Sequence, residues 1–599
     1  MINPQMDYSK YFICYDGELK DNKYYLLGNS KKYVYNKKGL TFAECFNFLT
    51  QKTRQKKIIF NLHFDLQFWI RSWKDDKILA LMNSQRVLFR QYELTYFPNK
   101  MLIIRKGNSL FKIYDILSFF NKSLLAVIKQ LKIKLTSEEQ KILNLGKKNR
   151  GSNFDKMTKA EVIYYNKTEC IITEKIAGKI KKLLNESTFT HKNKTVNLDI
   201  VNFYGSSAVS SKILKTYKVD KINNHNKHRE IFERAYYGGR FECLQLGEFK
   251  NVYKYDINSA YPYVMKDLHK VNRFRKVKKP KVINDKGIYF IYFKMFFPKD
   301  FICPFPLRHN SGRIFYTGEV EGWYFGCEIN EFINSGINSE NYILNIKEGL
   351  VPEFSTQKVF EKYGNNVIEE IYNQRIYYKE NDDLRHYIYK ISLNAVYGKL
   401  AQITGKAQFQ NLYYAGYTTA KTRSLLYKNS YLGNYTDIIA YATDSILSKE
   451  PIPELDLICN SKLGNWDFEF CKKVTVLMSG FYKIELKDNK YVYGIRGFKR
   501  LNNFDKIYKD ILKKGFSKIS YNQFISHKLF LHSSNAYKDE RLKFIRVTKT
   551  INPIRANFKR KYFFDNRYNS HISEWFNLPV ITSINRFKQD LKTEIYVDY

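Results

Sequence analysis

The run IIAYATDSIL (438–447) sets one carboxylate, Asp444, into an apolar strand, and NVYKYDINSAYPYVM (251–265) ends an aromatic and β-branched strand on another, Asp256. A charge in such a place is costly unless something binds it. The two runs therefore restrict the chain to folds that bring two strand-borne acids to one cation-binding face. Pro262 closes a turn after Asp256 in this reading. Between the acids, RHYIYKISLNAVYGKLAQ (385–402) predicts a helix with Lys390, Asn394 and Tyr397 at i, i+4 and i+7 on one face. Taken alone, that spacing also describes an ordinary amphipathic helix packed on a core.

A second group of acids lies nearer the N-terminus. FICYDGEL (12–19) reads as a strand ending in Asp16 and Glu18, which point to one face. IIFNLHFDLQFWI (58–70) contributes Asn61, Phe64 and Asp65, and YNKTE (165–169) places Tyr165 and Glu169 on one side of a helix. Four such carboxylates suffice for two divalent cations. Phosphodiester hydrolysis calls for that arrangement, because cations about 3.5–4 Å apart stabilise the attacking and leaving oxygens; Tyr165 is placed to orient the water. Singly, each acid is what a solvated surface carboxylate looks like.

At 599 residues the chain exceeds one core, and modules of roughly 150 residues suggest about three to five of them. Lys and Arg number 101 against 58 Asp and Glu, and the net charge of +43 is spread along the chain with 17% aromatic residues. Cations interleaved with rings suit nucleic acid, although AT-rich codon usage produces a similar composition. The cysteines form no CxxC pair, so neither a disulfide framework nor a zinc site is indicated. Without a signal peptide or a membrane-length apolar run, the expectation is a soluble, intracellular protein. KSLLAVIKQLKIKL (122–135) predicts a helix, 181–200 a domain boundary, and 274–287 and 347–357 loops.

In order along the chain, YDINSAYP, KISLNAVYG and ATDS resemble motifs A, B and C of family B DNA polymerases. The earlier series DxE, NxxFD and Yxxx(acid) resembles the three motifs of their proofreading exonuclease, and YDILSFFNKSLLAVIKQL (114–131) the primer-strand segment between them. AYYGGRFE (235–242) is similar to the YxGG hinge of protein-primed members from phages, adenoviruses and linear plasmids, and the likeness extends through LGNWDFE (463–469).

The resemblance implies an α/β and α+β multidomain chain. A ribonuclease-H-like 3′→5′ exonuclease domain would occupy 1–190 and a right-hand polymerase domain 191–599. Within the latter, the palm would span about 191–270 and 399–480, an insertion about 271–355, the fingers about 356–398 and the thumb about 500–599. By the same resemblance Asp256 and Asp444 hold the polymerase metals, and Asp16, Glu18, Asp65 and Glu169 those of the exonuclease, assisted by Tyr165. Tyr261 stacks under the incoming sugar and rejects a ribose. Lys390, Asn394 and Tyr397 meet the nucleotide, and Tyr236, Gly238, Gly239, Gly398 and Tyr482 contact DNA. Asn61, Phe64 and Leu117 handle a single-stranded 3′ end.

Mg²⁺, two ions per site with Mn²⁺ as a substitute, is the implied cofactor. Primer–template DNA, dNTPs, a terminal protein and a single-strand-binding protein are the implied partners of a monomer without membrane contact, in host cytoplasm or a mitochondrion. Replication of a phage, viral or linear-plasmid genome would follow. Three positions depart from the family pattern: Glu169 stands for Asp, Ala442 for the first acid of motif C, and Gly480 for the Lys of the KxY segment. Four readings compete: protein priming, extension of ordinary or self-made primers, a DNA-binding relative without chemistry, and a stand-alone exonuclease with a DNA-binding extension.

Two spacings add an expectation. The 127 residues from Tyr263 to Tyr389 leave room for an inserted subdomain, where protein-primed relatives bind their terminal protein. The 43 residues from Lys399 to Tyr441 already contain a palm helix, KTRSLLYKNSYL (421–432), leaving little for the strand-splitting hairpin of such relatives. Weak unaided strand displacement is expected. The basic segment NFKRKYFFDN (557–566) would follow duplex backbone.

Overall fold

The computed structural model describes residues 7–149, 156–219, 227–296, 302–308, 314–316, 318–402, 407–432, 435–496, 503–532 and 541–551. The segment 557–566 lies outside them. An eight-stranded mixed sheet opens the chain. Its central strands, Phe12–Lys20, Lys56–Ile59 and Ser109–Asp115, run parallel, and antiparallel hairpins extend it on both sides. The long helix Lys159–Glu186 packs across this sheet. A capping box between Thr158 and Glu161 starts that helix, satisfying backbone donors at its first turn.

The stretch 181–200 combines the end of this helix with a tight hairpin, Thr188–His191 on Lys194–Asn197. Lys192 and Asn193 both take positive φ there, as a two-residue hairpin turn requires. One cluster of buried side chains continues from Phe12 through Ile172 and Phe189 to Leu393 and Ala415, so the core is continuous across this stretch.

A seven-stranded antiparallel sheet forms the second half. Its order is Arg240–Cys243, Ile438–Thr443, Ser445–Ser448, Gly247–Ile257, Trp466–Met478, Phe481–Leu486 and Tyr491–Ile495. Between the second and third of these strands in chain order comes a four-stranded antiparallel sheet, ordered His269–Lys278, Tyr342–Lys358, Ile288–Met295 and Glu319–Phe325. It is followed by two paired helices, Val367–Glu380 and Arg385–Leu400, and by the buried helix Leu412–Leu432.

Four local expectations are corrected. Residues 274–287 and 347–357 are not loops throughout, since Phe274–Lys278 pairs with Glu348–Pro352 in a ladder. Gly349 sits within that ladder because the Tyr289 ring occupies the space a Cβ would need. The helix expected over 122–135 is confined to Leu124–Gln130. Pro262 lies inside the helix Ala260–Lys266, whose first turn lacks i−4 acceptors and so tolerates it. Asp444 sits at the apex of a hairpin, between Ile438–Thr443 and Ser445–Ser448, instead of within a strand.

The helix Phe504–Lys514 and the hairpin Ser517–Phe524 on Phe544–Ile551 follow the second sheet. Phe504, Ile507, Ile511 and Ile551 bury against Leu477 and Phe481 of that sheet. At its other end this module meets the N-terminal one. Phe524 packs on Phe64 and Phe68, and buried His527 donates its backbone N–H to Gln67 Oε1 and its Nε2–H to the Gln67 carbonyl, both at 2.9 Å. No helix among the described residues is long and apolar enough to cross a membrane.

Inside the second half, Arg423 of the Leu412–Leu432 helix meets Glu328 of the Gly326–Ile333 helix at 2.9 Å, with the side chains 2% and 3% exposed. Removing one partner of such a pair strands the other charge, at a cost of about 3–5 kcal/mol. Arg423→Met should lower unfolding stability by about that amount in denaturant titration, and Glu328→Leu added to it should recover part of the loss.

Candidate active sites

The N-terminal site grows from the Phe12–Lys20 strand. Asp16 and Glu18 project from one face of it, and Glu169 reaches the same point from the Lys159–Glu186 helix. Carboxylate oxygens of these three lie within 4.8 Å of one another, while Asp65 stands outside the trio on the helix Leu62–Trp69. Burial, followed by the charges of Glu169, Glu18 and Asp65, holds Asp16 well above the usual carboxylate range. Burial likewise pushes Asp65 up to about 7. Four acids so placed fit divalent cations better than they fit each other.

Several residues that the sequence did not single out hold this group in place. Asn166 is 2% exposed and its amide nitrogen donates to Asp16 Oδ2 and Glu18 Oε1 at 3.4 and 3.3 Å. Tyr24 donates its hydroxyl to Asp65 Oδ1 at 2.8 Å. That contact explains the glycine of the DxE segment, because a Cβ on Gly17 would lie 1.7 Å from the Tyr24 hydroxyl. Asp115 is 1% exposed and accepts from the backbone N–H of Asn61, Leu62 and Leu117. Asn61 adopts φ 73° at this point, turning the chain into the Asp65 helix. Tyr165 is buried and hydrogen-bonded to Glu169. Phe64 is covered in part by Phe524, and Leu117 lies on the short 3₁₀ turn Ile116–Phe119.

The second site lies at one end of the seven-stranded sheet. Asp256 is next to last in the Gly247–Ile257 strand and pairs with Ser445, one residue beyond Asp444. The Ile257 N–H donates to the Asp444 carbonyl at 2.9 Å, tying the hairpin apex to the strand end. Thr443 takes φ 67° to make the turn. Burial and then the Asp256 charge push Asp444 up to about 7. Asp256 is raised by burial and, less strongly, by Asp467 and Glu469, against the opposing charge of Lys254. Lys254 faces the same way as Asp256, two residues earlier, and pairs with Glu469 at 2.9 Å.

Tyr261 and Tyr397 place their rings 4.4 Å apart, and the Tyr397 hydroxyl meets that of Tyr236 at 2.8 Å. Of the two glycines after Tyr237, the second serves this packing. A Cβ on Gly239 would lie 2.7 Å from Thr443 Cγ2 and 2.8 Å from the Tyr261 hydroxyl. Arg423 holds the loop from beneath, donating to the Tyr237 and Gly238 carbonyls at 2.8 and 2.6 Å. Lys390, Asn394 and Gly398 form the exposed face of the Arg385–Leu400 helix. Burial and the charges of Arg375, Lys122 and Lys379 lower the Lys390 pKa. Arg375, unremarked in the sequence, donates to Ser259 Oγ at 2.7 Å. Tyr482 lies over Gly494 on the neighbouring strand, where a Cβ would meet its ring at 2.4 Å.

An acid near a strand end and a second at the neighbouring hairpin apex on one antiparallel sheet, preceded in the chain by an acid-lined mixed sheet, have the fold of a right-hand DNA polymerase with an N-terminal ribonuclease-H-like domain. Residues 47–450 match the family described as DNA polymerase type B, organellar and viral, and the chain belongs to that family: it is a DNA-directed DNA polymerase. It is 26% identical over 507 residues to the DNA polymerase of Acidianus bottle-shaped virus, covering 79% of this chain and 72% of that protein. It is 24% identical over 369 residues to a DNA polymerase of Kluyveromyces lactis, spanning 34% of that longer protein. In fold it is similar to Phi29 DNA polymerase complexed with primer-template DNA and incoming nucleotide substrates, with a TM-score of 0.62 at 16% identity, over 90% of this chain and 100% of that one.

The raised acids set a pH dependence. Asp65 and Asp444 titrate near 7 when folded and near 3.8 when unfolded, so the metal-free fold takes up protons in that window and loses stability as pH rises through it. Cation binding needs the ionised forms. The rise in thermal midpoint on adding Mn²⁺ should therefore be several-fold larger at pH 8 than at pH 5.5; an equal rise at both would count against these metal sites.

Proposed function

We propose that the chain copies DNA at the Asp256–Asp444 site and trims 3′ ends at the Asp16–Glu18–Asp65–Glu169 site. The observation that carries this reading is the presence of two partly buried acid groups, each raised by desolvation and then by its own members, on two different sheets. Mg²⁺ is the proposed ion at both, with Mn²⁺ as a substitute. Bound cations would supply charge stabilisation to the entering and leaving oxygens.

The protein's own groups do the rest. Lys390, with Arg375 and Lys379 on the paired helix, concentrates cationic charge where a triphosphate would lie. Tyr261, backed by Tyr397, offers a flat wall for the sugar, and its bulk would exclude a 2′-hydroxyl. Asn394 and Tyr397 face the same nucleotide. Gly238, Gly239 and Gly398 permit close approach of template backbone, and Tyr236 and Tyr482 complete the DNA contacts. At the trimming site Asn61, Phe64 and Leu117 receive the single-stranded end, and Tyr165 acts on the attacking water through its bond to Glu169.

In this reading the exonuclease domain spans 1–190. The palm spans about 191–270 and 399–480, the insertion about 271–355, the fingers about 356–398 and the thumb about 500–599. Primer–template DNA and dNTPs are the substrates of a monomer. A terminal protein is the proposed primer, supported by the four-stranded sheet that fills the insertion. A single-strand-binding protein is a second proposed partner.

Because the acid groups stand on separate sheets, their activities should separate. Asp256→Ala or Asp444→Ala should abolish primer extension and leave metal-dependent 3′ trimming, whereas Asp16→Ala with Glu18→Ala should do the reverse. Normal extension by Asp444→Ala would refute the assignment.

The segment between Lys399 and Tyr441 is largely taken up by the Leu412–Leu432 helix, which supports weak unaided strand displacement. On a gapped template the enzyme should copy the open stretch and stall at the downstream duplex. Full-length displacement products from single binding events would contradict this.

A further inference from the structure

Gly480 and Ala442 remove two side chains from the open face of the seven-stranded sheet, and a cavity lies between them. Phe241, Lys254, Ala442, Ser445, Gly480 and Tyr482 are among its walls. Ser445 follows Asp444, so the cavity adjoins the acid pair on the same face as Lys254. One further cation lies beside two of its walls, Gly480 and Phe241. Arg496, just past the Tyr491–Ile495 strand, donates its backbone N–H to the Gly480 carbonyl at 3.0 Å and runs its side chain across that glycine.

The fit is tight. A Cβ on Gly480 would lie 2.8 Å from Arg496 Cβ, 3.1 Å from Arg496 Cδ and 3.1 Å from Phe241 Cε1, and the glycine's φ of +74° already disfavours a side chain. The guanidinium then lies over the Phe241 ring, 4.3 Å from its centroid. Phe241 pairs across the sheet with Ala442. Among the described residues no carboxylate pairs with Arg496, whereas Lys254 on the same face is occupied by Glu469. A planar cation held over a ring, with no acid paired to it, can present its donors to an external anion.

We propose that Arg496 grips a backbone phosphate of the primer strand close to its 3′ end. The proposal rests on the palm reading of Asp256 and Asp444, since those acids place the reacting end beside the cavity. Ala442 contributes by placing no carboxylate across the strand pair from Phe241, and Glu242 is taken up by Arg240. Gly480 contributes by giving the arginine stem its path. The cation is thus delivered by the outermost strand of the sheet, from the residue whose backbone clamps the glycine.

The test uses the full-length enzyme on a labelled primer–template. Arg496→Gln keeps the stem over Gly480 and removes only the charge. It should raise the KM for primer–template about ten-fold and reduce the slope of log KM against log salt by about one, with kcat at saturating DNA changed far less. Arg496→Lys should retain most of the binding, and a thermal melt of each variant reports folding. Arg496→Gln with an unchanged KM and salt slope, while Asp444→Ala abolishes extension, would overturn the proposal and leave the palm reading standing. Normal extension by Asp444→Ala would overturn both.

Discussion

Carboxylates brought within a few ångströms of one another repel, and burying them strengthens the repulsion. This chain does so twice, and much of its architecture holds the acids where their own charges would not put them. Asp65 is held by the Tyr24 hydroxyl, Asp16 and Glu18 by one amide of Asn166, and Asp444 by a backbone bond from Ile257. Each support is local and rigid. An acid group strained in this way is relieved by protons or by cations, and at neutral pH cations are the stronger competitor.

The same logic extends one layer outward. The loop Tyr236–Gly239 approaches the second site because Gly239 lacks a side chain, and it stays there because Arg423 binds two of its carbonyls. Arg423 is in turn paired with Glu328 of the Gly326–Ile333 helix. A displacement of that helix would therefore act on the loop through a buried ion pair, with no flexible intermediary. Such a pair does little for net stability but is sensitive to misplacement.

The acids themselves were legible in the sequence, because a charge within an apolar or aromatic run is a local anomaly that needs no knowledge of distant residues. Asp256 and Asp444 stood out in that way, and the helical spacing of Lys390, Asn394 and Tyr397 marked a face that is exposed at the first two and partly covered at Tyr397. The supports were not legible. Asn166, Tyr24 and Asp115 are ordinary polar residues whose meaning lies in contacts 150, 41 and 54 positions away in sequence. The misread loops have a different cause. His269–Lys278 is an edge strand, and its cationic side chains hide the alternation that marks a half-buried strand. Its partner contains Gly349 and Pro352, residues that normally interrupt strands, yet both pair in unbroken register, with Val277 and Phe274. Asp444 was placed in a strand because a two-strand hairpin with so tight an apex has the composition of a single longer strand.

The contact between His527 and Gln67 joins residues 460 positions apart. A ribosome adding about 5–20 residues per second needs roughly half a minute to a minute and a half to cover that interval. Throughout it, Phe64, Phe68 and the Gln67 side chain lack the Phe524 and His527 surfaces that cover them in the finished fold. The N-terminal domain thus emerges with an apolar face open beside one of its acids, and the last described module is what seals it. The face around Gln67 is completed only when Phe524 and His527 have been made and have folded back onto it.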